Sequence, residues 1–234
     1  MNLVVSDYDQ TFFKDEESLE QNKIYVEKFM KNNLFVIATG RSYLDFEKEE
    51  QKYNIKYNYL ILNHGATIVK DNVVIYSKYI DSSIKQEIIP QLQLQNSLNY
   101  FACSNIDSRA DINLEKISKI NISYKNKLIA KKIYNLLQKK YSKYLNLYLV
   151  TGGKSLEIVP SKVDKAEAIK YISNIENIPK NKIYTIGDSY SDLEMIKRYN
   201  GYYITGSIKE IKKYSQGKYT SVYQLIKDIL NGNI

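Results

Sequence analysis

Apolar residues recur along the chain in two rhythms. Five short runs, at 3–5, 34–38, 59–62, 183–186 and 202–204, are continuous rather than alternating. That is the pattern of strands buried on both faces of a parallel sheet. Between them lie stretches with helical spacing. The first covers 17–31, with Leu19, Val26, Phe29 and Met30 on its apolar side, and others cover 43–53, 165–174, 192–198 and 221–230. Strand and helix in alternation predict an α/β fold with a doubly wound parallel sheet.

The middle of the chain breaks this rhythm. Segments 66–69 and 73–76 predict a hairpin turning at Asp71-Asn72. A helix-like stretch at 82–95 follows, then a strand at 98–103, a polar segment at 104–113, and an alternating strand carrying Ile120, Ile122 and Tyr124. A second helix at 126–141 leads to strands at 145–150 and 155–159, with Gly152-Gly153 supplying the turn between them. Two helices and four strands of mixed sheet make a unit of their own. The expected division is a core of residues 1–80 and 160–234, with an inserted α/β unit at 81–159.

Composition adds limits. Apolar residues make up 44% of the chain, enough for a sizeable core, yet no run approaches the ~20 residues of a membrane span. The first residues enter a strand at once, without the basic and apolar segments of a signal peptide. Cys103 is the only cysteine, so no intramolecular disulfide can form, and a cytoplasmic location is expected. The net charge of +8 comes from lysines interleaved with Asp and Glu, not gathered in a tail. It reads as solvated surface, so neither a nucleic-acid nor a membrane partner is expected.

The chemistry gathers at strand ends. The first run ends in Asp7-Tyr8-Asp9-Gln10-Thr11, where residues two apart on extended chain point the same way. By itself this could equally be a turn. The second run ends in Thr39-Gly40-Arg41-Ser42, a hydroxyl, a glycine and a helix start that suit a phosphate or an ordinary capped turn. Gly187-Asp188 with Asp192 repeats the device after a later strand, although helix capping accounts for it locally. Lys165 opens a helix, where the helix dipole disfavours a cation unless an anion lies in front of it. If Asp7, Asp9, Asp188 and Asp192 converge, each pair at 4 Å repels by about 4 kcal/mol at an effective dielectric of 20. An all-oxygen set of that size suits Mg²⁺.

These stretches, in this order, resemble the haloacid dehalogenase (HAD) superfamily of phosphatases, and within it the Cof-like hydrolases. Asn63-His64-Gly65-Ala66 and Leu156-Glu157-Ile158-Val159-Pro160 look like two further markers. The resemblance implies a HAD/Rossmann-like core with the insert as an α/β cap, and a Mg²⁺-dependent phosphatase of small phosphate esters. It implies Asp7 as the nucleophile and Asp9 as the general acid and base. Thr39, Gly40 and Lys165 would bind phosphate, and Mg²⁺ would be held by Asp7, the Asp9 carbonyl and Asp188, with Asp192 in support. Arg41 and His64 are candidate substrate contacts. The sequence departs from the family pattern at Gln10 (usually Gly), His64 (Asn), Ala166 (Gly) and Ser191 (Asn), none of them a reacting group. A phosphosugar mutase on a similar core, or a non-catalytic basic binding protein, are the competing readings.

Overall fold

The structure is a computed structural model of the chain and describes residues 1–105, 107 and 109–234. The chain opens β1 (Leu3–Asp7), α1 (Glu16–Met30), β2 (Leu34–Ala38), α2 (Tyr43–Tyr53) and β3 (Tyr59–Leu62). The hairpin β4 (Thr67–Lys70) and β5 (Val73–Ser77) follows, then α3 (Ser82–Ile88), β6 (Ser97–Cys103), β7 (Lys119–Tyr124) and α4 (Lys127–Tyr141). Next come β8 (Leu145–Val150), β9 (Ser155–Pro160), α5 (Lys165–Ile175), β10 (Ile183–Gly187) and α6 (Leu193–Arg198). The last elements are β11 (Asn200–Ile204), α7 (Lys209–Lys212), β12 (Gly217–Tyr219) and α8 (Val222–Leu230).

The larger sheet has the order β12-β11-β10-β1-β2-β3-β4-β5, parallel from β12 to β3 and antiparallel through the hairpin at its edge. Side chains of β1 alternate between two apolar clusters. Val4 packs with Val26, Phe29 and Leu225 from α1 and α8, whereas Leu3 and Val5 pack with Ile169 and Ile172 of α5. Coverage on both sides is why these strands are apolar without alternation. At the hairpin, Asp71 and Asn72 both take positive φ (50° and 61°), which matches the right-handed twist of the flanking strands.

Register decides where the chemistry emerges. Asp7 pairs with Ala38, and Ser6 with Ile186, so Asp7, Thr39 and Asp188 leave three neighbouring strands at one level. Connections from β1 run to β2 on one side, while β10 closes the other, and ligands settle at such a reversal in open α/β sheets.

The second sheet, order β6-β7-β9-β8, is antiparallel and drawn wholly from the middle of the chain. One of its faces carries Ile120, Ile122, Leu156 and Ile158, packed with Ile84, Ile88, Ile133 and Leu137 of α3 and α4. The other carries Asn121 and Tyr148, cross-strand neighbours of Glu157, and is turned to the carboxyl end of the larger sheet.

Several local expectations need correction. The helix expected over 82–95 ends at Ile88. Pro90 has no N–H to continue it, and the chain proceeds as 3-10 turns at Ile89–Leu92 and Leu94–Asn96, parted by Gln93 at φ 49°. Leu92 nevertheless stays in the same apolar cluster as Ile84 and Ile88. The helix expected over 192–198 begins with a 3-10 turn at Tyr190–Asp192. The short α7 and β12 had no apolar periodicity to announce them. Positions 106 and 108, in the polar segment 104–113, lie outside the described residues. Among the described residues, no helix is long and apolar enough to cross a membrane.

Candidate active site

Past β1 the chain doubles back at once, with Phe12 N–H donating to the Asp7 carbonyl and Phe13 N–H to that of Tyr8. The turn places Gln10 at φ 62°, a left-handed conformation that explains why glycine suits this position. It leaves Asp7 buried and the Asp9 side chain half exposed. Asp9 is gripped by Arg41, whose Nη2 lies 2.7 Å from Oδ1 and whose Nε lies 3.0 Å from Oδ2. The same guanidinium reaches Glu49 at 3.0 Å, and Glu49 accepts from Tyr8 Oη at 2.8 Å. Arg41, expected as a substrate contact, is thus engaged within the protein, where it sets the orientation of Asp9.

Lys165, the first residue of α5, is buried and donates to Asp7 Oδ1 at 2.5 Å and to Asp192 Oδ1 at 2.6 Å. The helix-start cost is met by two carboxylates in front of the ammonium group. Burial pulls its pKa down, but Asp192 and Asp7 more than offset this and hold it above the ordinary lysine value. The other oxygen of Asp192 accepts from Asp188 N–H, Ser189 N–H and Ser189 Oγ, all within 3.1 Å. Asp192 therefore braces the loop and the lysine. A Cβ on Gly187 would stand 2.6 Å from the Asp192 side chain, so glycine is required for this close approach. Asp188 accepts from Thr11 Oγ1 at 3.3 Å.

Asp7, Asp188 and Asp192 each bring a carboxylate oxygen within 4.8 Å of the others. The Asp9 side chain is not among them, since it is held by Arg41. One lysine faces three carboxylates, and Asp7 Oδ2 is buried with no hydrogen-bond partner among the described residues. Burial raises the Asp7 pKa well above the ordinary carboxylate value, and Asp192 adds to the rise while Lys165 opposes it. Asp188 is pushed up to about 6 by burial and then by Asp192. An orphaned buried oxygen among hard, charge-crowded donors is what a small divalent cation fits.

The loop after β2 is pinned by main-chain bonds. Thr39 N–H donates to the Ile61 carbonyl, Asn63 N–H to that of Arg41, and His64 N–H to that of Thr39. Thr39 Oγ1 accepts from Arg41 N–H at 3.1 Å. Gly40 lies under the His64 ring, and a Cβ there would stand 2.6 Å from Cε1. The ring has no room to retreat, because Tyr148 stacks on it at 4.2 Å between centroids and Glu157 bonds its Nε2. Gly40→Ala is expected to destabilise the fold by about 1–3 kcal/mol, the usual size of overpacking, which a thermal melt would read directly. A melt unchanged from wild type would mean that the ring moves freely.

The sequence reading assigned no role to Tyr148, Lys119, Asn121 or Glu157, which close the site from the second sheet. Glu157 is buried, bonded to His64, to Asn121 Nδ2 at 2.8 Å and to Lys119 Nζ at 3.3 Å. Burial works against its charge, but Lys119, His64 and the hydrogen bonds from His64 and Asn121 outweigh it and hold its carboxyl well below the usual range. Burial lowers the His64 pKa below the ordinary imidazole value, against the pull of Glu157. The available signal was a charged residue inside an apolar strand, Leu156-Glu157-Ile158. Together the two sheets enclose a cavity of about 420 Å³ lined by Asp7, Asp9, Asp188, Lys119 and Thr151 among others.

The family model described as sucrose-6F-phosphate phosphohydrolase matches residues 1–223. A candidate phosphatase from Buchnera aphidicola subsp. Schizaphis graminum is 28% identical, the match covering 83% of this chain and 80% of that protein. Among solved structures, a haloacid dehalogenase-like hydrolase from B. subtilis superposes with a TM-score of 0.81 at 18% identity, covering 97% of this chain and 99% of the other. The sucrose-phosphatase of Synechocystis sp. PCC6803, solved with sucrose and phosphate, gives 0.75 at 16% identity and covers 99% and 98%. The chain belongs to the sucrose-6F-phosphate phosphohydrolase family of HAD-like phosphatases.

Proposed function

We propose that this phosphohydrolase removes phosphate from small phosphorylated metabolites of the sugar-phosphate class, in two steps through an aspartyl-phosphate on Asp7, with Mg²⁺ as cofactor. The observation that carries the reading is the state of Asp7. One oxygen is fixed by Lys165 and the other, beside Asp188 and Asp192, is buried without a partner among the described residues. Mg²⁺ would be held by Asp7, the Asp9 carbonyl and Asp188, with Asp192 behind them, and would supply positive charge against the carboxylates and the phosphoryl oxygens. Lys165, the Thr39 hydroxyl and the main chain at Gly40 orient the phosphoryl group. Asp7 attacks phosphorus, and Asp9 gives a proton to the departing oxygen. Asp9 then takes a proton from the water that attacks the phosphoenzyme. Arg41 keeps Asp9 aimed at the cavity mouth.

Residues 81–159 act as the cap in this reading and select the rest of the substrate. A second cavity of about 680 Å³ shares Val150, Thr151, Ser189 and Ser191 with the first, and gives a leaving group larger than phosphate room beside it. The relative solved with sucrose and phosphate supports sugar phosphates as the class. Two measurements test the proposal. A phosphate-release screen over sugar phosphates, nucleotides and cofactor phosphates is expected to show turnover on sugar phosphates that EDTA abolishes. Mg²⁺ at about a hundred times its Kd is expected to add about 2.7 kcal/mol of stability, lost in Asp188→Ala. Metal-independent turnover, or equal stabilisation of both proteins, would overturn the metal assignment.

A further inference from the structure

Lys119 is a charged residue of the second sheet, almost fully buried, with one hydrogen bond to Glu157 within that sheet and one that leaves it. Its Nζ donates to the main-chain carbonyl of Gly40, in the loop after β2. That loop's other main-chain bonds tie it to β3 and the turn after it, through Ile61, Asn63 and His64. Among the described residues, the Lys119 bond is the one lysine or main-chain hydrogen bond that reaches it from the middle of the chain. The peptide that receives it is the Gly40–Arg41 unit, and the N–H of the same unit donates to Thr39 Oγ1 at 3.1 Å. A cation at one end of a peptide strengthens donation at the other, because hydrogen bonds in series polarise one another. With its acceptor side taken by Arg41 N–H, the Thr39 hydroxyl directs its proton outward.

We propose that Lys119 is a positioning residue for phosphate binding: through the Gly40–Arg41 peptide it fixes the orientation of the Thr39 hydroxyl that donates to the phosphoryl group. The inference rests on the reading of Thr39 as a phosphoryl donor. Glu157 holds the ammonium in place at 3.3 Å and is itself held by Asn121 and His64. The ion pair is thus more than a local balance of charge. It makes the phosphate loop depend on the second sheet being seated against the first, so phosphate is bound well only when the sheets are together.

The test is a double-mutant cycle with inorganic phosphate as the probe, titrated calorimetrically in the presence of Mg²⁺. Lys119→Met is expected to weaken phosphate binding about tenfold in the Thr39 background, the size of one charge-assisted hydrogen bond. In a Thr39→Val background the same change is expected to cost less than about twofold, since the group it positions is gone. A merely structural lysine would give the same loss in both backgrounds, and additive effects overturn the proposal. If Thr39→Val alone leaves phosphate binding unchanged, the reading of Thr39 fails instead, and the two failures are distinct. Should Lys119→Met not fold, Lys119→Gln, which keeps a donor and most of the stem, carries the same cycle.

Discussion

Asp7→Asn is expected to abolish turnover, by on the order of 10⁴–10⁶-fold as when a nucleophile is removed, while the metal-free protein becomes no less stable. The two halves of this result have one cause. An amide cannot form the acyl-phosphate and is a poorer ligand for a hard cation. Yet in the metal-free protein the Asp7 carboxylate is a burden, since burial and Asp192 both work against its charge. Lys165 keeps a second partner in Asp192 at 2.6 Å, so the substitution strands no cation. Thermal melts without metal should therefore place the variant at or above wild type. Adding Mg²⁺ should then reverse the order, as wild type gains and the variant gains little. Near-normal turnover in a folded Asp7→Asn protein would end the covalent mechanism. A large metal-free loss of stability would show that the three carboxylates are not crowded as described.

Lys165→Met is expected to remove activity and also to destabilise the protein by about 3–5 kcal/mol, the cost of breaking a buried ion pair from one side. The side chain is 1% exposed and is the only cation bonded to either Asp7 or Asp192 among the described residues. Its loss leaves both facing Asp188. The pH dependence follows. Lys165 opposes the upward shift of Asp7, so without it the carboxyl binds its proton still more tightly in the folded state. A carboxyl raised by folding costs nothing below its unfolded pKa, and stability falls as the pH rises through its folded pKa. The gap between variant and wild type should therefore narrow at about pH 4 and widen toward neutrality. A gap independent of pH would mean that lost packing, not charge, explains the effect.

The larger sheet was legible because burial on both faces leaves a strand few polar positions, and all five continuous runs formed strands. Pro90 was a readable stop that the apolar spacing of Ile84, Ile88 and Leu92 masked, since that spacing serves packing whether or not the helix continues. Asp7, Asp188, Asp192 and Lys165 were legible as a group because each follows a strand or opens a helix, and parallel register brings such positions together. The partnership of Arg41 with Asp9 was not. Nothing local separates an arginine that awaits a ligand from one already paired. The contacts of Lys119 and Glu157 were hidden for a related reason, although the stretch around Glu157 was visible as a family marker. Their partners Gly40 and His64 lie 79 and 93 residues away, and the contacts depend on how one sheet is laid over the other.

The place of β1 has a consequence for the order in which the protein can be made. β1 leaves the ribosome before the other strands of the larger sheet and lies in its middle, between β2 and β10. Its pairing with β2 can form early, but its other edge waits for Ile183, the partner of Leu3. Asp7 likewise waits for Lys165, 158 residues later. Until then an apolar strand keeps one open edge, the kind of surface that pairs with other chains. A chain cut short before β10 would carry Asp7 and Lys165 but lack Asp188 and Asp192, and aggregation rather than partial activity is its expected fate.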